Sequence, residues 1–116
     1  MNETTMQPNL ARDLLRMFTR QILDEVFEGE TGASRLQQVG LFTLIFAGGD
    51  DGQPLTAAQL SALTGQSAGQ IGHLLRKLIA RDLVERTPGT GRGRPHGLSV
   101  KPSPAAKKLI DAMTKG

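Results

Sequence analysis

Gln70, His73, Arg76 and Lys77 fall within eight consecutive positions, and Arg92 and Arg94 follow in the run Arg92-Gly93-Arg94-Pro95. A glutamine amide presents a donor beside an acceptor, while imidazole, guanidinium and ammonium groups donate. Gln70 matches the donor and acceptor pair on an adenine edge, and His73 or Arg76 matches guanine or a phosphate oxygen. Reaction chemistry has no comparable set. The two histidines, His73 and His96, stand 23 positions apart, and there is no cysteine to act as nucleophile or thiolate ligand. Gly89-Thr90-Gly91-Arg92-Gly93 has neither the Gly-Lys-Ser/Thr ending of a phosphate-binding loop nor the spacing of a dinucleotide fingerprint. Asp24, Glu25 and Glu28 read as the solvated face of a helix, and Asp50 and Asp51, flanked by glycines, as a solvated turn. No enzyme is expected, with no catalytic residues, no metal site and no cofactor.

Hydrophobic residues make up 38% of the chain and charged residues 22%, as in globular domains and unlike disordered tails. A length of 116 residues suits one domain, 1–116. The net charge of +3 is unevenly spread. Residues 1–51 carry four basic and eight acidic side chains, a net of −4, whereas residues 52–116 carry ten and three, a net of +7. The second half is therefore expected to face an acidic partner such as nucleic acid. All four Phe precede residue 50 and there is no Tyr or Trp, so the basic half lacks the stacking platforms that single strands require. The start, Met1-Asn2-Glu3-Thr4-Thr5, has no secretory pattern, and the most apolar stretch, Val39 to Ala47, is about half a bilayer span. A cytoplasmic chain without membrane contact is expected.

Periodicity predicts the elements that must position these residues. Leu10, Leu14, Leu15, Phe18, Ile22, Val26 and Phe27 recur at three- and four-residue spacing and predict a helix over 9–28. Its stripe is expected to serve both the domain core and a second subunit. Ser34 is placed to cap a second, centrally buried helix carrying Leu36, Val39, Phe42, Leu44, Ile45 and Phe46. Thr56 with Gln59 has the capping-box form; Leu60 and Leu63 face inward, and Gly65 can stop the helix in a left-handed conformation. Ser67 with Gln70 repeats the box and opens a helix with Ile71, Leu74, Leu75 and Leu78 inward. Two capped helices over 55–82, separated by a tight turn, form a helix-turn-helix. A strand from Leu83 to Arg86, a Gly- and Pro-rich loop, and a return strand from Leu98 to Lys101 make a wing over 83–101. Ser103 is expected to cap a last helix, 103–114, with Ala105, Leu109, Ile110 and Met113. The predicted fold is mainly α with a small β-hairpin, a winged helix-turn-helix with an added N-terminal dimerisation helix.

The run Leu55-Thr56-Ala57-Ala58-Gln59-Leu60-Ser61-Ala62-Leu63-Thr64-Gly65-Gln66-Ser67, followed by Leu74-Leu75-Arg76-Lys77-Leu78-Ile79-Ala80-Arg81-Asp82-Leu83-Val84-Glu85-Arg86, resembles the MarR family of bacterial regulators. With the preceding helix and the wing, the likeness spans roughly residues 35–112. It implies a homodimeric transcription regulator, expected to be a repressor, that pairs through its N- and C-terminal helices. Leu10, Leu14, Phe18, Ile22, Leu109 and Met113 are the residues assigned to that pairing. A small-molecule effector is left open, with Leu14, Phe18 and Phe42 able to line its pocket or simply to fill the core.

In a helix-turn-helix the second helix enters the major groove and its N-terminal residues meet base edges. The helical wheel sets Gly69, His73, Arg76 and Ala80 opposite the apolar stripe, with Gln70, Gly72 and Lys77 at its sides. Gln70 has an equal claim as the capping partner of Ser67, and the plain role of His73 is a solvated imidazole. Gly69 and Gly72 each cost a helix roughly 1 kcal/mol relative to alanine. Close approach of the backbone to DNA accounts for them, and so does close packing on the preceding helix. Arg92-Gly93-Arg94-Pro95 is similar to the core of the AT-hook, a minor-groove reader, since glycines lie deep in a narrow groove whose potential attracts arginine. The full set of candidate DNA contacts is Ser67, Gln70, His73, Arg76, Lys77, Thr90, Arg92, Arg94 and Lys101. A solvated hairpin tip is the plain alternative for the wing. The rival of another class is a winged helix used as a protein-protein interaction module without DNA binding.

Overall fold

The computed structural model describes residues 8–49, 53–87, 97–101 and 111. Residues at four-position intervals line one face of α1 (Pro8–Asp24), where Leu10, Leu14, Phe18 and Ile22 are each no more than 3% exposed. They share one core with Leu41, Phe42 and Ile45 of α2 (Gly32–Ala47). The rings of Phe18 and Phe42 meet tilted, 5.1 Å between centroids, a geometry worth about 0.5–1.5 kcal/mol beyond the area it buries.

The expected helix over 9–28 stops four residues early, and the reason is chemical. Its last backbone bond runs from the Glu25 N–H to the Gln21 carbonyl, 3.1 Å. Beyond that, side chains claim the backbone: the Glu25 carbonyl accepts from Arg81 at 3.0 Å, and the Phe27 N–H donates to the Glu30 carboxylate at 3.2 Å. Val26 is left 58% exposed. The cap of α2 is Thr31, not Ser34 as expected; the Ser34 N–H donates to the Thr31 hydroxyl at 3.0 Å.

The short strand β1 (Leu55–Thr56) leads into α3 (Ala57–Thr64), where Thr56 and Gln59 form the expected capping box. Thr56 Oγ1 accepts from the Gln59 N–H at 3.1 Å, and Gln59 Oε1 accepts from the Thr56 N–H at 2.8 Å. Gly65, at φ 75°, stops the helix in the left-handed conformation that the sequence predicts. Leu60 is buried, but Leu63 is 63% exposed rather than inward. The face of α3 turned to the core runs through Ala57, Leu60 and Ser61, which leaves Leu63 to one side. In α4 (Ala68–Ala80), Ile71, Leu74, Leu75 and Leu78 are all buried, as their spacing predicts. Strands β2 (Val84–Thr87) and β3 (Gly97–Val100) form the two arms of the wing. The expected hairpin gains a third strand, in the order β1-β3-β2, all antiparallel, with Leu55 opposite Leu98 and Val84 opposite Val100. A two-residue strand is too short for alternation to announce it. The loop expected between β2 and β3 lies outside the described residues over 88–96, as does the expected helix 103–114 apart from Asp111, which is helical.

One buried polar network fixes how α4 sits. Arg81, the C-cap residue of α4, is 4% exposed, and its side chain has four partners. Its Nε donates to Gln38 Oε1 at 3.0 Å, Nη1 to the Glu25 carbonyl at 3.0 Å, and Nη2 to Glu30 Oε1. The guanidinium also lies 4.2 Å above the Phe27 ring centroid. Glu30 is fully buried at its side chain and takes a further bond, 2.6 Å, from Gln38 Nε2. Burial disfavours its charge, but the hydrogen bonds from Gln38, Phe27 and Arg81, with the Arg81 charge, outweigh that and hold the carboxyl below its usual pKa. Lys77 Nζ approaches the same carboxylate at 4.0 Å.

Breaking such a pair on one side strands the other charge. Arg81→Leu is expected to lower stability by about 3–5 kcal/mol, whereas Arg81→Leu combined with Glu30→Leu recovers much of the loss. Urea midpoints of the single and double variants check this. A depressed folded pKa means that the Glu30 contribution is complete above the usual carboxylate value and fades as pH falls through the depressed one. Glu30→Gln should remove that part of the acid dependence of unfolding. Gly97 supplies a second test, since a Cβ there would lie 2.6 Å from Pro54 Cβ and 3.3 Å from Thr87 Oγ1. Gly97→Ala is expected to cost roughly 1–3 kcal/mol by forcing β1 off β3, and an unchanged thermal midpoint would contradict it.

Candidate nucleic-acid interface

The turn after Gly65 brings α4 out with Ser67 as its cap, the serine hydroxyl accepting from the Gln70 N–H at 3.1 Å. Only this half of the expected second capping box forms. The Gln70 side chain reaches instead to α2, where its Nε2 donates to Gln37 Oε1 at 3.0 Å. Gln70 is half-buried, and Ser67, Ala68 and Gly69 beside it are exposed. From Ser67 to Ala80 there is no carboxylate, so the positive end of the helix dipole and the side chains of this segment carry the same sign.

His73, Arg76 and Ala80 lie exposed on the face opposite the buried stripe. Lys77, from the side of the wheel, is half-buried and turned toward Glu30. Of the two explanations for the helical glycines, packing on the preceding helix drops out. A Cβ at Gly69 would meet only Ser67 Oγ, at 4.0 Å, and one at Gly72 only Arg76 Nη1, at 3.7 Å. The face is bare because nothing in the described fold fills it. An object that approaches from outside can therefore come against the backbone itself.

Lys101 follows β3 at the base of the wing, and its Nζ donates to Asp82 Oδ1 at 2.6 Å. That hydrogen bond and the Asp82 charge hold the ammonium above its usual pKa. A phosphate would compete with Asp82 for it. Thr90, Arg92 and Arg94 lie outside the described residues. So do Leu109 and Met113, while Leu10, Leu14, Phe18 and Ile22 are buried in the chain's own core. Leu14, Phe18 and Phe42 belong to that core too. A cavity of about 320 Å³ lies elsewhere, between the end of α2 and the sheet, against Ile45, Phe46, Pro54 and Leu98. Among the described residues no group of three His, Cys, Asp or Glu could hold a metal ion, and no helix is long and apolar enough to cross a membrane.

Two features of this surface have no local sign in the sequence. Gln37 and Gln70 are 33 residues apart, and Arg81 meets Glu30 across 51. The one hint is that Arg81 stands between two apolar stretches whose neighbours, Leu78 and Leu83, are both buried.

Nothing matches among protein-family models or curated protein sequences. Solved structures do resemble the fold. MepR of S. aureus in its complex with DNA aligns with a TM-score of 0.52 at 16% identity, over 90% of this chain and 73% of that one. A mutant of S. aureus MepR aligns with a TM-score of 0.52 at 16% identity, over 96% of this chain and 76% of that one. RV1404 from Mycobacterium tuberculosis aligns with a TM-score of 0.50, again at 16% identity, over 97% and 75%. These neighbours are winged-helix regulators of the MarR family. At this identity the likeness is one of fold, and the chain has the winged-helix architecture that its helix-turn-helix sequence predicts.

Proposed function

We propose that this chain is a double-stranded DNA-binding transcription regulator, a repressor that acts as a homodimer on a roughly palindromic site. The observation that carries the reading is the exposed face of α4, where His73 and Arg76 stand beside two glycines whose added Cβ would meet only the Ser67 hydroxyl or the Arg76 side chain. A helix with this surface enters a major groove closely, reads with few side chains, and takes much of its affinity from phosphate. The S. aureus MepR structure with DNA, on the same fold, supports the reading. Ser67, Gln70, His73, Arg76, Lys77 and Lys101 are assigned to this contact, with Thr90, Arg92 and Arg94 of the wing on the flanking minor groove. Pairing is assigned to α1 and to the segment holding Leu109 and Met113. With Leu10, Leu14, Phe18 and Ile22 in the core, the larger apolar side chains of α1 that stay partly exposed are Leu15, Met17 and Leu23. The chain is further assigned to the cytoplasm of a bacterial cell.

A mobility-shift titration against random duplex across a salt series tests the reading. Affinity falling steeply with salt is expected, and no duplex affinity at moderate salt would instead favour a protein-interaction module. Arg92→Ala with Arg94→Ala should flatten the salt dependence by up to about two phosphate equivalents per wing. Gly72→Ala separates binding from folding. It should stabilise the free chain by up to about 1 kcal/mol, as alanine does over glycine in a helix. It should also weaken duplex binding by about tenfold, because the added methyl enters a close contact. Unweakened binding would mean that the backbone does not approach DNA there.

A further inference from the structure

Helix α2 holds α4 through two consecutive residues. Gln38, fully buried, donates to Glu30 at 2.6 Å and to Ser34 Oγ at 3.3 Å, and accepts from Arg81 at 3.0 Å, where α4 ends. Gln37, exposed, accepts from Gln70 Nε2 at 3.0 Å, where α4 begins. Positions 70 and 81 are about 16 Å apart along a helix axis, so neighbouring glutamines of α2 tie down both ends of α4. Because Gln38 is fixed by its three partners, the backbone of Gln37 is fixed as well.

A free glutamine amide rotates in a broad well about its last torsion and loses that freedom on binding. The Gln70 amide has already lost it. Its Nε2 carries two hydrogens, one of which is given to Gln37; the other hydrogen and Oε1 are the pair that adenine N7 and N6 require. We propose that Gln37 is a positioning residue for base recognition, orienting the Gln70 amide so that its remaining donor and acceptor meet one adenine in the major groove. The inference rests on the DNA-reading role assigned to α4. Specificity at that base is thus shared between a residue that touches DNA and one on another helix that does not.

Selection of bound sequences from a random duplex pool, run in parallel on the wild-type chain and three variants, tests this. The wild type should prefer A·T at one position, and Gln70→Ala should reduce that preference by about five- to hundredfold. Gln37→Leu should reduce it at the same position by about two- to tenfold and leave the other positions and the salt slope unchanged. Gln37→Glu keeps an acceptor for Gln70 and should retain the preference, even with a lower overall affinity. Thermal melting confirms that each variant is folded, which the exposure of Gln37 favours. A Gln37→Leu protein with undiminished or sharpened preference at that base, or with losses spread over all positions, would overturn the proposal while the DNA-binding reading stood. A wild-type chain that enriches no sequence would overturn both.

Discussion

A guanidinium taken out of water must find partners for its charge and its donors, and Arg81 finds them on two other parts of the chain. The Glu30 carboxylate supplies the opposite charge, Gln38 and the Glu25 carbonyl accept, and the Phe27 ring covers the flat face. Desolvation makes such a pair a poor source of net stability, but an exacting one, because a small displacement leaves a buried charge unanswered. The end of α1, the turn that follows it, the start of α2 and the close of α4 are therefore fitted to a single side chain. Apolar packing of Leu74, Leu75 and Leu78 brings α4 to the core, and this network anchors its C-terminal end there.

Interactions within a few residues are legible in the sequence. The Thr56–Gln59 capping box, the Gly65 stop and the four inward residues of α4 follow from side-chain type and helical spacing alone. Two misreadings are local, Thr31 holding the cap of α2 expected of Ser34 and Leu63 facing solvent, but in the others a distant group has intervened. Helical periodicity runs on past Asp24, but Arg81 and Glu30 take the backbone groups that another turn would need. Gln70 satisfies the pattern of a second capping box, yet the Gln37 amide, 33 residues away, is the partner it takes. Strand β1 exists because β3 returns beside it, and a pair such as Leu55 and Leu98 cannot be read from either segment alone. For the candidate site, the residue types and the exposed face of α4 were legible; the hands that hold that face were not.

The surface of α4 is sparse by construction. Two glycines, an alanine and a serine surround its first turn, so shape and backbone carry what side chains do not. Such a helix tolerates close contact well and discriminates through few groups, which places a premium on how each is oriented. The charge distribution agrees. Eight of the eleven carboxylates fall in the first 51 residues, and the segment from Ser67 to Ala80 has none. The run Gly91-Arg92-Gly93-Arg94 repeats the same economy in sequence.

The network around Arg81 joins residues 43, 51 and 56 positions apart. Closing loops of that length is entropically costly, and contacts of such separation are made after the local helices have formed. Interactions that are absent from the folding transition state act on the rate of unfolding and leave the rate of folding nearly unchanged. Where the buried arginine docks only after that transition state, it acts as a kinetic latch, setting how long α4 stays on α2 rather than how fast it arrives.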